Sequence, residues 1–180
     1  MRHTSFDIKE PGLNILPPGV ERYIVNGGGL TGIQILPDDE IEIINDEGNQ
    51  VCEISVFDKD GNSNLQILNL KEKKDTSEIV KILSKKNESS LTANYQLRKR
   101  NIKINKSKSA VLFNRDTVPG EKIKLNSKDK CYCIFSAPGP DMIIHEQNPN
   151  TDLTIFVRRA EIKKDKEHSI IPDPMFDPLN

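Results

Sequence analysis

The sequence has no tryptophan, and aromatic residues make up only 5% of its 180 residues. A platform that stacks sugars or nucleic-acid bases needs several rings, so both binding classes are disfavoured. Cysteine is scarce and odd in number, with Cys52, Cys131 and Cys133 the only three, so no disulfide framework is expected. No apolar run approaches the roughly 18 residues that a membrane-spanning helix requires. Neither sign of charge dominates: 26 Lys and Arg against 27 Asp and Glu leave −1. That balance lacks the electrostatic footprint of a general nucleic-acid or acidic-membrane binder. Met1 to Asp7 turns polar and acidic at once, without the apolar stretch of a secretory signal. The expectation is a cytoplasmic protein that partners neither nucleic acid nor membrane.

What is present reads as one domain with a tail. Short β-branched runs at Tyr23–Val25, Ile33–Leu36, Ile41–Asn45 and Val51–Phe57 are separated by Asp, Asn and Gly clusters, the pattern of strands joined by tight turns. A second set follows at Ala110–Phe113, Lys122–Leu125, Cys131–Ser136, Met142–His145 and Leu153–Val157. Between the two blocks, Asp75 and Glu78 have capping-box spacing, and Ile79, Val80 and Leu83 then share a helical face. A second helix is expected from about Ser90 to Arg98. The fold class is therefore mainly β, a β-sandwich or distorted barrel, with a small two-helix insert at about residues 75–100. Residues 1–160 form the single β-rich domain. Residues 161–180 form a charged, then proline-rich tail.

Motifs for chemistry are weak. Gly27-Gly28-Gly29-Leu30-Thr31-Gly32 matches G-x-G-x-x-G, but Ile33-Gln34-Ile35-Leu36-Pro37 follows. A proline-stopped strand cannot present the helix N-terminus that holds a pyrophosphate, so a turn is the better reading. Cys131 and Cys133 share a strand face. With Cys52 and His145 they would make a four-ligand soft set, but C-x-C lacks the usual knuckle spacing and buried cysteine packs as a small hydrophobe. No metal is therefore expected. His3, His145 and His168 stand apart, there is no nucleophile elbow, and no catalytic residue is assigned. The basic stretch from Arg98 to Lys108 lacks interleaved aromatics and reads as a solvated helix end and loop. The most unusual local feature is Gln50: if it shares a face with Cys52, Ile54 and Val56, an amide points where core side chains point. A buried amide needs hydrogen bonds, from backbone or from ligand.

Several segments in order resemble a known family. Asp46-Glu47-Gly48-Asn49-Gln50 is similar to an "aspartate, x, glycine, x, glutamine" turn of the urea-carboxylase-associated domains and of the related domains fused ahead of glycine-cleavage T-protein-like aminomethyltransferases. Ser109–Asp116 with Pro119-Gly120, Ala137–Met142, and Gln147–Leu153 leading to Val157-Arg158-Arg159 continue the likeness, which covers about Leu16 to Ala160. Stand-alone members carry metal-ligating His and Cys centrally, whereas this chain has neither between Cys52 and Cys131. The resemblance is closer to the fused type. It implies a non-catalytic accessory module of an aminomethyltransferase system acting on methylated amines. Its partner would be a T-protein-like domain or subunit, with tetrahydrofolate in that partner and no cofactor in this chain. Met175, Phe176 and Leu179 in the tail would then dock on the partner. The alternative is a stand-alone small-molecule or metal-binding enzyme of the urea-carboxylase-associated type, with a ligand pocket near Gln50, Glu53 and Cys133. Both readings are compatible with a homo-oligomer.

Overall fold

The computed structural model describes residues 8–9, 16–73, 77–85, 88–139 and 149–161. Among the described residues nine strands form two sheets. The strands are β1 (Ile8–Lys9), β2 (Val20–Val25), β3 (Leu30–Ile35), β4 (Glu40–Asn45), β5 (Cys52–Asp58), β6 (Ser109–Phe113), β7 (Glu121–Asn126), β8 (Cys131–Ser136) and β9 (Leu153–Arg158). One sheet has the order β1-β3-β8-β5-β6 and the other β2-β9-β4-β7. All neighbours are antiparallel except β1 with β3. The sandwich expected from strand spacing is thus the observed architecture.

The helical insert also forms, as α1 (Glu78–Ser84) and α2 (Glu88–Lys99). Asp75 lies outside the described residues; Ser77 is the N-cap of α1, its hydroxyl accepting from the Val80 amide at 3.4 Å. On α2 the buried apolar positions are Ala93 and Leu97, with Ser90 also buried, whereas Leu91 and Tyr95 are exposed. The expected strand Met142–His145 is likewise outside the described residues.

The helices make the five-stranded sheet an inner layer. Its sandwich face carries Ile33, Ile35, Cys52, Ile54, Val56, Cys133 and Phe135, packed against Val25, Ile41, Ile43, Leu153, Ile155 and Val157 of the other sheet. Its outer face carries Phe57 and Ile134, covered by Ile79, Leu83, Ala93 and Leu97. Strands β5 and β8 are therefore buried on both faces. That is why β8 reads as a near-continuous apolar run, while β7, an edge strand, alternates with lysines. Among the described residues no helix is long and apolar enough to cross a membrane.

Candidate functional site

Four connections meet at one end of the sandwich, where β2, β4, β6 and β8 end and β3, β5, β7 and β9 begin. Gln50 sits among them, 4% exposed. Its Nε2 donates to the carbonyls of Val51 and Pro138, each at 2.9 Å, and its Oε1 accepts from the Thr151 amide at 2.9 Å. One amide side chain thus bridges the β4–β5 turn, the segment after β8 and the segment before β9. Asn45 donates through Nδ2 to the Gln50 carbonyl at 2.8 Å. Its own carbonyl accepts from the Gly120 amide at 2.7 Å.

The glycines of this end are there because backbones touch. Gly48 has φ +73°, and a Cβ on it would stand 2.7 Å from the Pro119 nitrogen and 2.8 Å from the Thr117 carbonyl oxygen. On Gly27 a Cβ would meet the Asn150 carbonyl oxygen at 2.5 Å. The Gly27 amide donates to Asp152 Oδ1 at 2.8 Å. The triple glycine is a turn entering β3, as the following proline-stopped strand indicated.

Three buried side-chain oxygens lack a hydrogen-bond partner among the described residues: Asn45 Oδ1, Thr151 Oγ1 and Ser136 Oγ. Asn45 and Thr151 are each one hydrogen bond from Gln50. Leaving such a group unanswered costs about 1–3 kcal/mol, so the described residues of this end hold unused hydrogen-bonding capacity. It offers one acceptor and one hydroxyl that can donate or accept. Sequence reasoning singled out Gln50 but missed these two. Asn45 had a readable signal, since it shares strand parity with the buried Ile41 and Ile43. Thr151 had none.

The ligand set expected at Gln50, Glu53 and Cys133 is not gathered in one place. Cys133 pairs with Val56 on the sandwich face, whereas Glu53 pairs with Ser136 on the helix-covered face. Glu53 is fully buried there. Its carboxylate accepts from Lys73 Nζ at 2.7 Å, Ser77 Oγ at 2.6 Å and the Glu78 amide at 3.1 Å. Burial alone would raise its pKa; the hydrogen bonds from Lys73, Ser77, Ser109 and the Glu78 amide outweigh it and hold the carboxyl below its ordinary value.

The cysteines are also dispersed. Cys131 and Cys133 have sulfurs 3.8 Å apart. Cys52 lies six residues along β5 from Asp58, which faces Cys131. At about 3.3 Å per residue that is roughly 20 Å, too far for one ion. Burial pushes the Cys52 and Cys133 thiols up, so both are protonated at neutral pH. His145 is outside the described residues, as are Met175, Phe176 and Leu179. Among the described residues no group of three His, Cys, Asp or Glu is placed to hold a metal ion.

A buried ionic cluster closes the opposite end. Arg159 Nε donates to Glu21 at 3.0 Å, and its Nη1 donates to Asp39 at 2.6 Å and to the Gln34 carbonyl at 3.0 Å. Tyr23 adds its hydroxyl to Glu21 at 2.6 Å. Desolvation, then the Glu21 carboxylate, raise the phenol pKa above its usual value. The Glu21–Arg159 pair spans 138 positions and the Asp39–Arg159 pair 120, so no local pattern announces it. Every donor and acceptor here points at another, which makes it a fastening between β2, β4 and β9.

No family model matches the sequence. A curated protein, the trimethylamine-oxide aldolase of Ruegeria pomeroyi, is 30% identical over 172 residues, an alignment that takes in 96% of this chain and 22% of that enzyme. The chain therefore spans about a fifth of the length of the curated relative it matches. That similarity overturns the expectation of a non-catalytic aminomethyltransferase module with its transferase and tetrahydrofolate associations: the relative is named as an enzyme, and as an aldolase.

Proposed function

We propose that this chain is a small-molecule enzyme segment of the amine-oxide-cleaving class, whose ligand contacts lie at the loop end around Gln50. The observation that carries the reading is the alignment of nearly the whole chain with a trimethylamine-oxide aldolase. An aldolase-type split of trimethylamine oxide balances without outside reagents. The N–O bond and one C–N bond break, the oxygen passes to the departing carbon as a new C=O bond, one of that carbon's hydrogens moves to nitrogen, and formaldehyde and dimethylamine result. The Thr151 hydroxyl supplies a donor of the kind an N-oxide oxygen accepts, and Asn45 Oδ1 supplies an acceptor of the kind a product ammonium needs. Kinship with the urea-carboxylase-associated domains is part of this proposal, as is a cytoplasmic location. The even charge balance and the free, buried thiols support that location.

The test is turnover and binding by the purified chain. Millimolar trimethylamine oxide should yield dimethylamine and formaldehyde in proton NMR, or at least bind by titration calorimetry. Thr151→Val should weaken binding about tenfold, the loss of one hydrogen bond to a charged group. Because this compound stabilises proteins generally at high concentration, a melting shift that Thr151→Val leaves unchanged would count against the site. Absence of both turnover and binding in the wild-type chain would refute the reading.

A further inference from the structure

Exposed charge is distributed unevenly over the fold. On the helical insert and the segment after it, Lys85, Arg98, Lys99, Lys103, Lys106 and Lys108 are exposed, against the exposed Glu88. At the loop end Asp46, Glu47, Asp116, Glu121 and Asp152 are exposed, with Arg115 and Lys122 the opposing charges. The chain as a whole is nearly neutral, at −1, so each face owes its sign to segregation rather than to composition.

Each charged face also holds an apolar centre. Leu91 and Tyr95, one turn apart on α2, are 63% and 66% exposed. Val118, at the tip of the β6–β7 loop, is 61% exposed and is followed by the exposed Pro119. Aromatic and aliphatic side chains ringed by charge are the usual anatomy of a protein interface. The two faces cannot meet within one molecule. The residues that follow α2 pack at the far end of β5, where Gly61 faces the Asn101 carbonyl and accepts from the Lys103 amide at 3.0 Å. Gln50 and the acidic loops stand at the near end of β5.

We propose that this chain associates head to tail with a second copy of itself, the α2 face of one molecule seating on the acidic loop end of the next. Leu91 and Tyr95 meet Val118 and Pro119 at the centre. Arg98 and Lys99 face Glu47 and Asp116 at the rim. The two surfaces differ, so the contact is heterologous and repeats from copy to copy until a ring closes. Its charged rim makes it salt-sensitive, since about 0.5 M salt shortens screening to a few ångströms. This inference does not rest on the proposed chemistry, though the contact would lie over the same loop end.

Sedimentation velocity on the full chain tests it. At low salt the weight-average mass should rise above the 20.3 kDa monomer as concentration increases, and about 0.5 M NaCl should reverse the rise. A helix-face variant (Leu91→Asp with Tyr95→Glu) and a loop-end variant (Glu47→Lys with Asp116→Lys) should each remain monomeric at tenfold higher concentration, with wild-type circular dichroism showing that both are folded. Mixed together, each still offers one intact face, so a one-to-one dimer should return. A wild-type monomer at every concentration overturns the proposal. So does association that ignores salt, or that either variant retains. A mixture that fails to dimerise while both variants are folded overturns the head-to-tail arrangement, because an isologous contact would behave that way.

Discussion

Gln50 and Thr151, 101 positions apart in sequence, are joined by a 2.9 Å hydrogen bond from the Thr151 amide to the Gln50 side-chain oxygen. The Gln50 side-chain nitrogen in turn donates to the Pro138 carbonyl, so the segments after β8 and before β9 both depend on a single side chain. Gln50→Leu keeps the volume and removes every polar contact of the side chain, leaving the Thr151 amide and the Val51 and Pro138 carbonyls without it. The expected loss is about 2–4 kcal/mol, from roughly 1–3 per abandoned group, read as a lower midpoint in urea. A loss under about 0.5 kcal/mol would mean that the loops are held by other contacts.

Glu53 predicts the acid limit of the helical insert. Its carboxyl is held below the ordinary value by Lys73, Ser77, Ser109 and the Glu78 amide. A depressed folded-state pKa gives stability that is fully present above the unfolded value, about 4.3, and is lost as pH falls through the folded value. Hydrogen exchange at α1 should therefore accelerate below about pH 4 while the β4 and β9 amides remain protected. In Glu53→Gln the α1 amides should exchange faster at neutral pH too, and the acid-dependent step should disappear. Unchanged exchange in that variant would show that apolar contacts alone dock the helix.

Arg159 answers two buried carboxylates at once, Glu21 and Asp39. Arg159→Met removes the cation and leaves two acids facing each other, which should cost about 3–5 kcal/mol. Arg159→Lys keeps the charge but cannot reproduce the fork that reaches Glu21, Asp39 and the Gln34 carbonyl together, so it should recover only part of the loss. Chemical denaturation of the three proteins gives the order directly. Equal stability of the Met and Lys variants would show that geometry, not charge, holds this end.

What could be read from the sequence was what repeats locally. The strands around Ile41–Asn45 and Cys131–Ser136 and the helices after Ser77 follow from β-branched runs, turn residues and period-four spacing. Burial on both faces of β5 is hidden, because Glu53 and Ser55 interrupt the run yet face the helices rather than water. The converse holds at Leu91 and Tyr95, one turn apart on α2 yet both exposed. The small Ala93 and Leu97 take the sheet instead, since a helix packed over Phe57 and Ile134 needs only a narrow contact. Gln50 was visible through strand parity, and Asn45 was visible by the same rule. Long-range partners such as Thr151 for Gln50, or Arg159 for Glu21, leave no mark on the sequences around them.

The thiols provide a check on the sandwich interior. Cys52, Cys131 and Cys133 are all fully buried and free, and burial raises the pKa of the first and last. A thiol reacts as its thiolate and only where reagent can reach it. The native chain at pH 8 should therefore give almost no fast reaction with a disulfide reagent such as Ellman's, and three equivalents should appear on unfolding in guanidinium. The slow native reaction should follow opening of the sandwich, so Gln50→Leu, which unties the loop end beside Cys52, should speed it by tenfold or more, with Cys52 modified first. Cys131 and Cys133 lie farther along β8 and should lag behind. Rapid native modification of all three cysteines would contradict their placement between the sheets.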